Sequence, residues 1–179
     1  MIKPAVLSVL ASVALCSGLG ATEAIKVERG QLACGDVMVR IESRCFSFEE
    51  HEKQCVSQRV TIGNESRRLT RTLRSDARRI TQPFLGKQAV LDAKITGWAC
   101  LTAVGGARYV YLSYTCVEHR RASECVGTNK EWGRLFDTKG NELGIGLPRR
   151  SQDLPRLMGE QGLQRYVDEG IRLRDVFDD

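Results

Sequence analysis

Histidine, aromatic residues and close cysteine pairs are scarce in this chain, and each scarcity removes a class of function. The two histidines, His51 and His119, sit in the charged stretches HEK and EHRR. Such loop histidines are solvated side chains before they are acid–base catalysts. No G-x-S-x-G, H-E-x-x-H, Walker A or G-x-G-x-x-G pattern occurs, and Gly144-Ile145-Gly146 lacks the third glycine of a nucleotide fingerprint. C-x-x-C is absent too. The closest cysteines, Cys116 with Cys125 and Cys45 with Cys55, are separated by eight and nine residues. His119 follows Cys116 by three residues, but no second pair completes a four-ligand set. Neither a metal centre nor a dithiol redox site is spelled out, and no cofactor is implied. Four prolines and no low-complexity tract leave no linker, so the mature chain reads as one domain.

Long apolar runs are missing except at the start, MIKPAVLSVLASVALCSGLGATEA. Lys3 gives a positive n-region, Ala5 to Leu15 an uncharged apolar stretch, and small residues crowd Ser17 to Ala24. This is the order of a cleaved signal peptide over residues 1–24, too short to span a membrane. A lipoprotein signal at Cys16 is disfavoured, because Leu15 stands where a small residue is wanted. The expected product, residues 25–179, is exported to the periplasm. It keeps six cysteines: Cys34, Cys45, Cys55, Cys100, Cys116 and Cys125. In an oxidising compartment an even number predicts three disulfides.

The N-terminal half reads as an antiparallel meander. Val37, Val39 and Ile41 alternate with other residues, as do Val60 and Ile62 in CVSQRVTI, the period of a half-buried strand. Cys45 and Cys55 both lie off the apolar face of the hairpin between these strands and form the favoured pair. Next, ESRRLTRTLRSDARRI spaces Leu69, Leu73, Ala77 and Ile80 by four, four and three, which predicts an amphipathic helix. Arg67, Arg71, Arg74 and Arg78 would cover its exposed surface as a site for an anionic partner.

A second block of strands follows. Leu91, Ala93, Ile95, Ala99 and Leu101 are placed on one face, with Trp98 and Cys100 opposite. The Gly105-Gly106 turn returns the chain as RYVYLSYTC, with Tyr109 and Tyr111 away from Val110, Leu112 and Tyr114. Counting through the turn argues against a Cys100–Cys116 bond. Cys116 would close its polar loop onto Cys125, leaving Cys34 and Cys100 to join the two halves of the domain. Trp98, Tyr109 and Tyr111 form a candidate aromatic contact patch. EWGRLFD adds a strand, and the chain after Pro155 predicts one or two helices packed across a sheet face. The expected fold is therefore α+β: hairpins packed with a basic middle helix and a C-terminal helix, stapled by three disulfides.

A small basic chain (net charge +5) with these features is similar in profile to periplasmic inhibitor and immunity proteins. That profile implies a non-enzymatic protein-binding module that occludes a toxin or lytic enzyme. The alternative is an envelope factor whose arginines hold an anionic ligand such as lipopolysaccharide, lipid phosphate or peptidoglycan. A carboxylate-dependent hydrolase is the third reading, since paired carboxylates leave no sequence signature. Nucleic acid is disfavoured by export and by the absence of an RNP-type motif.

Overall fold

The structure, a computed structural model, describes residues 24–48, 52–64, 66, 68–81, 88–117, 131–147 and 153–177. Antiparallel strands dominate it. Strands β1 (Lys26–Cys34), β2 (Val37–Phe48), β3 (Glu52–Asn64) and β4 (Leu69–Thr72) form a meander in that spatial order. A short pair, β5 (Arg79–Thr81) and β6 (Ala89–Leu91), follows. The second sheet runs β10-β9-β8-β7-β11, from β7 (Ala93–Thr102), β8 (Arg108–Cys116), β9 (Glu131–Asp137), β10 (Glu142–Leu143) and β11 (Arg174–Asp175).

Alternation along each strand divides core from solvent. Val39, Ile41, Val60 and Ile62 of the first sheet pack against Ile95, Val110, Leu112 and Phe136 of the second, all nearly or wholly buried. Each such side chain contributes about 1.5–3 kcal/mol by leaving water, so this inter-sheet layer is the main source of stability. The outer face of the second sheet carries a second layer of Ala99, Leu101 and Leu135. Met158 and Leu163 cover it from α1 (Asp153–Glu160) and the turn before α2 (Gln164–Asp168). In α1, Pro155 sits in the first turn, where its missing N–H costs nothing, and Arg156 pairs with Glu160 one turn on at 2.6 Å. The C-terminal chain thus packs on a sheet face, as the sequence predicts.

One residue of length reshapes the second sheet. Between Ile95 and Gly97 the β7–β8 register slips, so that Ile95 faces Tyr114 while Gly97 faces Ser113. Thr96 is the extra residue of this bulge, and it inverts the alternation of everything after it. Ile95 points into the inter-sheet core, and beyond the bulge Trp98 and Cys100 do so instead. The disturbed backbone is satisfied locally. Gln58 on β3 accepts the Ile95 amide at 2.6 Å and donates to the Ile95 carbonyl at 3.0 Å, while the Thr96 carbonyl accepts the Val176 amide at 3.1 Å.

Two disulfides join described cysteines. Cys45 and Cys55 face each other directly in the β2–β3 register, and Cys34 bonds Cys100 across the sandwich. The expected Cys116–Cys125 bond falls on Cys125, which lies outside the described residues.

The basic middle helix is not formed. In its place β4 adds to the edge of β3, residues 73–78 carry no regular element, and β5 begins at Arg79. The apolar residues that mimic a helical stripe are buried at separate places instead. Leu73 enters the inter-sheet core, Ala77 packs by the Cys45–Cys55 bond, and Ile80 packs with Phe46, Val56 and Val90. Extended chain, rising about 3.3 Å per residue against 1.5 Å in a helix, reaches three such clusters. β-Branched Thr70 and Thr72 favour that conformation, and Arg68 breaks the chain just before it at φ 50°.

Candidate functional site

The residues expected to form a binding surface are dispersed. Arg67 lies outside the described residues. Arg71 donates to Asn141, and Arg74 donates to the Glu142 carboxylate at 3.3 Å, so both tie the β4 edge to the end of the second sheet. Arg78 is exposed, and its backbone amide donates to Asp92 at 2.7 Å. Arg71, Arg74 and Arg78 do not share a helix face.

The aromatic patch is not assembled either. Trp98, turned inward by the Thr96 bulge, is 2% exposed beneath β1, where a Cβ on Gly30 would stand 3.2 Å from its ring. Tyr109 and Tyr111 point to the opposite face of the second sheet, under the helical layer. The Tyr109 hydroxyl donates to Gln161 at 3.0 Å, and the Tyr111 phenol lies against Gly133. Trp132 of β9 stacks on Tyr114 in the core with ring centroids 5.3 Å apart.

A different surface gathers charge. On β2 the residues facing away from the core include Arg40, Glu42 and Arg44, and all three are exposed. The register sets Arg29 of β1 opposite Glu42 on one side and Arg59 of β3 opposite it on the other. Glu42 is therefore the centre of a cross of four arginines. Facing positions across strands are about 5 Å apart, and alternate residues along a strand about 6.8 Å. Glu42 is taken by Arg29, whose Nε and Nη2 both lie 3.0 Å from its Oε2. Arg44 and Arg59 have no carboxylate partner among the described residues.

A groove of about 580 Å³ runs over this face, lined by Arg29, Gln31, Arg40, Glu42, Arg59 and Thr61, with Gly30 and Ile41 at its floor. The next row across the sheet, Gln31, Arg40, Thr61 and Thr72, adds an amide and two hydroxyls. Guanidinium forks flanked by neutral donors can hold carboxylate, phosphate or sulfate groups through charge-assisted hydrogen bonds. Among the described residues no three His, Cys, Asp or Glu side chains are gathered as a metal site.

The signal for this face was present in the sequence as arginines at alternating positions of VMVRIESR and in VSQRVTI. The denser arginine run of residues 67–79 masked it. No protein-family model matches the chain, no curated protein matches it, and no solved structure matches it.

Proposed function

We propose that this protein is an exported, non-enzymatic binding module that holds an anionic ligand of the cell envelope on the outer face of its first sheet. The observation that carries this reading is the cross of Arg29, Arg40, Arg44 and Arg59 around Glu42, displayed on three paired strands. Four arginines against one carboxylate give the surface a net positive charge that attracts anions, and several weak contacts made together bind far more tightly than one. Two disulfides point to an oxidising, extracytoplasmic compartment, and no described helix is long and apolar enough to cross a membrane. A signal peptide over residues 1–24 and a periplasmic address accord with that compartment.

The inhibitor or immunity reading moves to second place because Trp98, Tyr109 and Tyr111 are drawn into packing rather than offered as anchors. It keeps one support: the Cys34–Cys100 bond makes a rigid scaffold, and rigidity favours a protein that occludes a partner. Binding to vesicles containing an anionic phospholipid and to immobilised acidic polysaccharide, each over a salt series, tests the proposal. The wild type should be retained and be released by salt, while R40E/R59E should elute early and R71E/R74E should behave as wild type. Equal retention of R40E/R59E and wild type removes the reading. One protein captured stoichiometrically from periplasmic extract, resistant to moderate salt, would favour the inhibitor instead.

A further inference from the structure

We propose that Glu42 is a specificity-determining residue, a built-in counter-charge that makes the arginine face select a linear anionic glycan over a single small anion. The inference rests on the anion-binding reading and adds the class of ligand. An isolated anion approaching the centre of the cross meets the Glu42 carboxylate, which already holds Arg29 through two guanidinium nitrogens. At Arg59, directly across from Glu42 in the register, repulsion by the carboxylate offsets part of the attraction to the guanidinium. Arg40 and Arg44 lie further away along β2, on either side of Glu42. A chain laid along β2 places recurring charges on these two and spans Glu42 with an uncharged portion. The central carboxylate therefore penalises one charge and tolerates a series.

Chemistry around the cross favours a glycan as the chain. Gln31, Thr61 and Thr72 share the row of Arg40, so hydroxyl partners are available beside the charges. β1, β3 and β4 contain no aromatic residue and Phe46 of β2 is buried, so none of these anchors a protein partner.

The test is calorimetric titration of the full chain with glucuronate monomer, a hyaluronan hexamer (uronate alternating with a neutral sugar) and polyglutamate, using wild type, E42Q and R59Q. Thermal melts by circular dichroism verify that the exposed-site variants are folded. Wild type should bind the hexamer at least about 100-fold more tightly than the monomer, as expected for several contacts made at once. E42Q should tighten the monomer about three- to fivefold and the hexamer by less, so that the ratio falls; R59Q should weaken both. An unchanged ratio in E42Q, with hexamer binding intact, overturns the role of Glu42 and leaves the anion-binding reading standing. No binding of any anion by wild type overturns both. Polyglutamate bound as tightly as the hexamer overturns the glycan assignment in favour of an acidic polypeptide.

Discussion

Cys100 meets Cys34 across the sandwich, Cα to Cα 5.3 Å, only because the extra residue Thr96 has turned Cys100 inward. With the alternation set by Ile95 left undisturbed, Cys100 would lie on the helix side of the sheet.

This bond closes a sequence separation of 66 residues, whereas Cys45–Cys55 closes 10. Loop-closure entropy assigns them about 4 and about 2.7 kcal/mol respectively. Urea melts of C34S/C100S and C45S/C55S should show the larger loss in the first pair. The reverse order would mean that the two sheets are held by packing alone.

Arg134 is the second point of high stakes. It is 7% exposed, donates to Asp76 at 2.7 Å and to the Leu147 carbonyl at 3.1 Å, and lies 3.4 Å from the Glu142 carboxylate. Removing it takes the guanidinium from Asp76 and leaves the largely buried Glu142 carboxylate with Arg74 alone. Arg134→Met should cost about 3–5 kcal/mol in chemical denaturation, and a loss below 1 kcal/mol would show that the carboxylates find water instead.

Gly133 has no room for a side chain. A Cβ there would overlap the Tyr111 phenol, which crosses the glycine from the neighbouring strand. Gly133→Ala should destabilise by about 1–3 kcal/mol through overpacking. Adding Tyr111→Leu to the same chain should recover part of the loss; independent, additive effects in the double variant would show that the overlap is not the cause.

Alkaline pH should unfold the protein through its tyrosines. Burial raises the phenol of Tyr114, with the carboxylates of Asp76 and Glu142 adding to the effect against the Asp76 backbone and Arg134. Burial, then Glu131, raises Tyr111. In Tyr166 burial also acts upward, but the Thr102 amide and Arg165 together outweigh it and the phenol is lowered. Unfolded tyrosine titrates near about pH 10. Above that value the unfolded chain releases protons that folded Tyr111 and Tyr114 retain, so stability falls as pH rises. Tyr166 works in the opposite sense, ionising earlier when folded and adding stability as pH nears 10. Absorbance at 295 nm should show one tyrosine titrating early and two only with unfolding, and Tyr114→Phe should flatten the alkaline loss. Four tyrosines ionising together, uncoupled from unfolding, would refute this.

Much of the fold is legible in the chain because period-2 alternation marks a strand with one wet face. Val37, Val39 and Ile41, the Gly105-Gly106 turn and the Cys45–Cys55 pairing follow from alternation and turn chemistry, whereas Cys34–Cys100 is reached only as the pair left over. The stretch 65–80 misleads because Leu69, Leu73, Ala77 and Ile80 satisfy a helical spacing by coincidence. Long-range clusters, rather than one groove, receive three of them, while Leu69 stays 45% exposed. The arginine face was half legible. Its members alternate with core residues, but their convergence on Glu42 depends on strand register, which no local pattern reveals.

Thr96 carries most of its information as length, beyond the hydrogen bond its hydroxyl shares with Thr115. Exchanging it for another residue leaves the count of positions in β7 unchanged, and with it the inward aim of Trp98 and Cys100. Deleting it shifts the reading frame of the strand, sending indole and thiol toward the helices and Ala99 and Leu101 toward the first sheet. Substitution at position 96 should cost only its 2.8 Å hydroxyl bond to Thr115, about 1 kcal/mol, whereas a deletion scan would find it among the most sensitive positions in the chain.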